Sequence, residues 1–135
     1  MINASQIPQQ ESDGRLALTP ERILAAAGEL AADRKALDIV ALDVRGLVGY
    51  TDYFLICTGR TDRQTKAIHD AIHQALKDRY GLLPGRVEGL TEAHWILLDY
   101  LDIVVHVFTP ETRERYRLEQ LWGDAPTVEV AAAAV

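Results

Sequence analysis

Six consecutive residues constrain this chain more than any others. Tyr53-Phe54-Leu55-Ile56-Cys57-Thr58 is apolar on both alternating faces for most of its length. A strand of that kind has no side to show to water, so it belongs in the middle of a sheet covered on both faces. Its neighbours read as the cover and the rest of the sheet. Thr19-Pro20 is a helix start, a hydroxyl at the N-cap followed by proline where its missing N–H costs nothing. Ile23, Leu24, Ala27, Leu30 and Ala31 follow at helical spacing. Ile39 to Val44 reads as a strand rich in branched residues, with a turn at Gly46 and Gly49. After Gly59, Thr61 with Gln64 forms a capping-box pattern, and Ile68, Ala71, Ile72, Ala75 and Leu76 line one stripe of a second helix. Gly81 stops it.

A short strand is expected at Arg86-Val87-Glu88. Trp95 to Tyr100 and Ile103 to Phe108 are stronger ones, and with only Leu101 and Asp102 between them they read as a hairpin. Pro110 opens a last helix carrying Tyr116, Leu118, Leu121 and Trp122 among three acids and three bases. The expected order is α-β-β-α-β-β-β-α. This is an α+β fold, a mixed five-stranded sheet flanked by helices. Residues 1–18 and 126–135 are expected as flexible tails around one folded domain at 19–125. The first lacks a sustained apolar period, and the second runs from Pro126 into Ala131 to Ala134.

Charge narrows the function classes. The 135 residues carry 20 acidic against 14 basic side chains, a net charge of -6. A protein that grips nucleic acid through phosphates usually has the opposite balance, so little direct nucleic-acid binding is expected. Cys57 is the single cysteine, which allows no internal disulfide and no cysteine cage for a metal. No stretch approaches the roughly 18 apolar residues of a membrane span, and Asn3, Gln6, Pro8 and Glu11 break any signal-peptide core. A cytoplasmic protein without membrane contact is expected.

Few residues carry catalytic potential. His69 and His73 stand four apart on one helix face, but Asp70 replaces the glutamate of a zinc-protease motif and no third ligand is spaced nearby. Asp99, Asp102 and His106 cluster on the hairpin, where an acid and a histidine can do proton transfer. No Gly-x-Ser-x-Gly elbow occurs, and Cys57 lies mid-strand where burial makes it inert. Gly59-Arg60-Thr61-Asp62 has one glycine rather than a phosphate-binding set, and capping explains Thr61. Residues 60–80 hold five basic and three acidic side chains, a solvated helix face. No metal and no cofactor is expected. Strand alternation leaves one surface open to a partner: Trp95, Leu97 and Asp99 share one face, Ile96, Leu98 and Tyr100 the other. A large aromatic beside an acid is typical of protein–protein contacts, although a helix lying over Trp95 would equally make it core.

Several segments, taken in order, resemble the ribosomal silencing factor (Iojap) family. They are Tyr50 to Gly59 with Asp62-Arg63-Gln64 and Ala67-Ile68, Glu88-Gly89, Trp95 to Tyr100, Val104 to Phe108, and Arg115 to Trp122 with Asp124-Ala125. The resemblance implies a non-enzymatic translation repressor with a nucleotidyltransferase-like fold, often a homodimer when free. It implies binding to the large ribosomal subunit through ribosomal protein fourteen, which blocks joining of the small subunit when nutrients are short. The contact residues carried over are Trp95, Leu97, Asp99 and Tyr100, then Glu88, Asp102 and His106. Trp95 is the expected apolar anchor, and Asp99 and Glu88 the partners of arginine or lysine. The rival readings are a nucleotidyltransferase-like enzyme using Asp99 and Asp102, and an RNA-binding assembly factor using Arg60, Arg63 and Lys66.

The chain departs from the family pattern in two places. Leu101 stands where the family commonly has glycine, which predicts either another turn type or a strained one. Thr61-Asp62-Arg63-Gln64 replaces Ser-Asn-Arg-Gln and keeps the capping logic.

Overall fold

The both-faced apolar strand is indeed central. In a computed structural model that describes residues 18–130, β1 (Leu37–Asp43) precedes β2 (Tyr53–Thr58), which is buried at every position. The later strands are β3 (Arg86–Glu88), β4 (Trp95–Asp99) and β5 (Ile103–Phe108), and β5 is also buried throughout. β2 and β5 run parallel, from Tyr53 opposite Ile103 to Thr58 opposite Phe108. β1 flanks β2 and β4 flanks β5, both antiparallel, and β3 forms one edge.

The sheet has six strands rather than the expected five. β6 (Thr127–Val128) pairs with Leu42 and Ala41 of β1, giving the order β3-β4-β5-β2-β1-β6. This segment belongs to the expected C-terminal tail. Two strand residues are too few to leave a period, and the Asp43 N–H bond to the Pro126 carbonyl at 2.9 Å is a tertiary feature. Of the two expected tails, residues 1–17 and 131–135 lie outside the described residues.

α1 (Pro20–Asp33) and α2 (Asp62–Tyr80) cover one face of the sheet. Leu24, Ala27, Ile68 and Ile72 from the helices meet Leu55, Ile96, Leu98 and Val105 from the strands, all at most 1% exposed. The caps are as expected, with one shift. Thr61 Oγ1 accepts from the Gln64 N–H at 3.1 Å, but Gln64 Oε1 reaches back to the N–H of Arg60, one residue before the cap, at 2.7 Å. The Gln64 amide also donates to the carbonyls of Arg34 and Lys35, tying the end of α1 to the start of α2.

The opposite face has a thinner cover. The single helix expected from Pro110 is two, α3 (Pro110–Tyr116) and α4 (Leu118–Leu121), because Arg117 turns left-handed at φ 46°. Its guanidinium donates to the Glu114 carbonyl at 3.0 Å and the Glu114 carboxylate at 2.5 Å, which stabilises the break. Neither helix buries a residue fully; Leu118 and the following Trp122 only lean on the cluster of Leu42, Phe54, Ile56, Val104 and Phe108.

The hairpin turn is also tighter than a two-residue loop. The Asp102 N–H donates to the Tyr100 carbonyl at 2.9 Å across Leu101, whose φ is 79°. This is a γ-turn with its central residue on the strained side. Asp99 Oδ1 steadies it by accepting from the Leu101 N–H at 2.9 Å. The Asp102 carbonyl accepts from Asp52 and Tyr53, docking the turn onto the start of β2.

Candidate docking surface

The alternation along β4 sorts the expected contact residues onto two faces. Trp95, Leu97 and Asp99 are half-buried on the thinly covered outer face, while Ile96, Leu98 and Tyr100 are buried toward α1 and α2. Register adds two more to the outer face: His106 of β5 and Glu88 of β3 both lie opposite Leu97. Trp95, Leu97, Asp99, Glu88 and His106 therefore share one surface. Tyr100 does not; it is 5% exposed in the helix-side core, and burial pushes its hydroxyl up to about 12. Asp102 sits half-buried in the turn beyond the strands.

Trp95 is neither free nor fully core. Its ring packs between Phe108, at 4.9 Å between centroids, and Tyr116 of α3, at 4.8 Å. Its indole Nε1–H donates to His106 Nδ1 at 3.1 Å. An indole only donates, so Nδ1 is bare and the proton of the neutral imidazole is on Nε2. His106 is 5% exposed, with the Phe54 ring edge-on at 4.9 Å, and burial pulls its pKa down to about 4. A neutral histidine locked in one tautomer orients the tryptophan. Gly89 sets the same residue from behind: its φ is 81°, and a Cβ there would lie 1.9 Å from the Trp95 carbonyl oxygen.

The acid–histidine pair considered for proton transfer is not formed. His106 is engaged with Trp95, whereas Asp99 accepts from Leu101 and faces Arg86 at 3.5 Å. Arg86 also holds Glu88 at 3.0 Å, so one guanidinium serves both carboxylates at the sheet edge. Exposed pairs of this kind are worth at most about 1 kcal/mol, so a partner's cation can compete for either acid.

The remaining candidates play supporting roles. Cys57 points into the helix-side core, and burial pushes its thiol up to about 12. The rings of His69 and His73 are 5.5 Å apart in the groove between α1 and α2, with His69 Nδ1 hydrogen-bonded to Asp70 at 2.8 Å. Among the described residues no three His, Cys, Asp or Glu side chains gather closely enough to hold a metal ion. Among those residues, too, no helix is long and apolar enough to cross a membrane. The aromatic neighbours Phe54, Phe108 and Tyr116 are not among the expected contact residues. Strand parity with His106 points to Phe54 and Phe108; nothing in the local spacing points Tyr116 at Trp95.

A family model described as ribosomal silencing factor during starvation matches residues 17–134. The chain belongs to the ribosomal silencing factor family. It is 42% identical over 113 residues to the ribosomal silencing factor of Bacillus subtilis, covering 84% of this chain and 95% of that one. It is 37% identical over 93 residues to the mitochondrial assembly of ribosomal large subunit protein 1 of mouse, covering 64% of this chain and 39% of that protein. A crystal structure of a Chromobacterium violaceum protein superposes with a TM-score of 0.76 at 34% identity, covering 78% of this chain and 88% of the other. The mixed sheet and its helices are thus a fold that this chain shares with that solved structure.

Proposed function

We propose that the chain is a cytoplasmic, non-enzymatic ribosomal silencing factor. It docks on the large ribosomal subunit through ribosomal protein fourteen and blocks the small subunit from joining, which lowers translation when nutrients are short. Free in solution it is a homodimer. The observation that carries this reading is the outer sheet face, where a half-buried, pre-oriented Trp95 and Leu97 lie beside the acids Asp99 and Glu88. An aromatic anchor whose rotamer is fixed before contact loses little entropy on binding. The acids beside it suit a basic partner such as a ribosomal protein, and the net charge of -6 speeds the encounter. Family membership and the name of the mouse relative support the large subunit as target. Steric exclusion requires only occupancy, so no residue has to do chemistry.

Sedimentation with isolated small subunits, large subunits and joined ribosomes tests the proposal. The expected result is comigration with the large subunit alone and fewer joined particles on mixing. Trp95→Ala, shown folded by circular dichroism, is expected to weaken that binding by about 2 kcal/mol. Comigration with no subunit would end the reading, and unchanged affinity of the variant would remove Trp95 from the contact.

A further inference from the structure

Leu101 combines two unfavourable features: hydrogen bonds hold its turn in place, but nothing among the described residues covers its side chain. Its φ of 79° is a conformation that costs a β-carbon-bearing residue free energy and glycine almost none. Its side chain is 73% exposed, the highest value among the exposed large apolar residues described. It is not isolated. The β1–β2 loop abuts this turn through the Asp52 N–H bond to the Asp102 carbonyl at 3.0 Å, and that loop carries Leu47 and Tyr50, 45% and 63% exposed. Tyr50 leads on to the outer face, its ring 6.3 Å from that of Phe54. Asp52 and Asp102 rim this end of the sheet beside Asp99, which faces Arg86 at 3.5 Å, and Arg45 next to it is taken up by Asp43 at 2.6 Å.

From these features we infer that the tip formed by Leu47, Tyr50 and Leu101 is a second contact surface, continuous with the Trp95 face. Its occupant is a protein surface with an apolar pocket bordered by lysine or arginine. The inference rests on the proposed docking to the large subunit and extends the footprint to a further part of the same protein-rich site. The apolar residues supply the contact, and Asp52 and Asp102, with Asp99 shared with Arg86, select a basic rim and reject an acidic one. Strain at Leu101 presents its side chain outward at the apex of a turn held on both sides by hydrogen bonds.

Leu101→Gly separates the two effects, since it relieves the backbone while deleting the contact and therefore does not risk the fold. The thermal midpoint is expected to rise by about 2–4 °C, and affinity for isolated large subunits to fall about tenfold. Binding is measured by sedimentation at a series of concentrations, with the oligomeric state of the protein alone measured in parallel. Leu101→Met, which keeps an apolar side chain, is expected to bind within about threefold of the parent. A more stable Leu101→Gly with undiminished affinity would overturn the second surface while leaving the Trp95 face in place. Lost self-association with undiminished subunit affinity would seat a second copy on the tip and also overturn it. Absence of large-subunit binding by the unaltered protein would instead remove the parent proposal, and this one with it.

Discussion

Two glycines of nearly the same backbone conformation provide an internal measurement of packing around the tryptophan. Gly46 has φ 79° with nothing within 4 Å of where a Cβ would stand, whereas Gly89 has φ 81° with the Trp95 carbonyl oxygen 1.9 Å and its carbon 3.0 Å away. Alanine at Gly46 therefore meets only the left-handed penalty, about 1 kcal/mol. At Gly89 the same penalty applies, and the new carbon also stands more than an ångström inside ordinary contact with a backbone atom. Backbone cannot rotate away as a side chain can, so β3 and β4 must separate, adding about 2–3 kcal/mol. At about 3–5 °C per kcal/mol for a domain of this size, Gly46→Ala is expected to lower the melting temperature by about 4 °C and Gly89→Ala by about 12 °C or more. Calorimetry on both variants in one buffer gives the difference directly. Equal shifts would refute the close approach at Gly89, and with it the claim that this turn fixes Trp95 from behind.

Two further outcomes follow from buried groups. His106 is neutral when folded, with its pKa pulled down to about 4, and takes a proton readily when unfolded. The unfolded state thus binds more protons below about pH 6.5, so stability is full above that value and falls as the pH drops toward about 4, by up to about 3 kcal/mol. Urea unfolding from about pH 7.5 down to about pH 4.5 should show a shallower loss for His106→Gln than for the parent, and an equal loss would contradict the burial of His106. Cys57, fully buried and raised to about 12, should resist iodoacetamide at least about 100-fold better in buffer than in denaturing urea. Comparable labelling under both conditions would mean that β2 opens readily.

Where periodicity and capping are strong, the chain declares its structure. β2 needs no partner to be recognised, because six positions without a polar face admit only a covered strand. Thr61 marks the start of α2 in the same way. The failures are of another kind. Arg117 bends the last helix in two without glycine, asparagine or proline to announce it, since the bend is held by its own side chain on Glu114. β6 exists only because β1 offers an edge. For the candidate site, alternation correctly separates Trp95 from Tyr100 but leaves open whether Trp95 is core or surface. The answer depends on how much α3 covers, and Tyr116 reaching back to the indole is a distance between elements, invisible to local spacing. At Leu101 the departure from the family's glycine points to another turn type or to strain, and only the Asp102 N–H bond to the Tyr100 carbonyl shows a strained γ-turn.

The parallel pairing of β2 with β5 joins residues fifty positions apart, as Tyr53 opposite Ile103 makes plain. During synthesis the fully buried strand β2 is therefore made long before the strand that shields its far edge. Until residue 108 has left the exit tunnel, the sheet lacks its central β2–β5 pair, and a product stopped in the hairpin exposes one edge of an apolar strand. A copy terminated before β5 is therefore expected to aggregate or be degraded rather than to act as a half-active fragment.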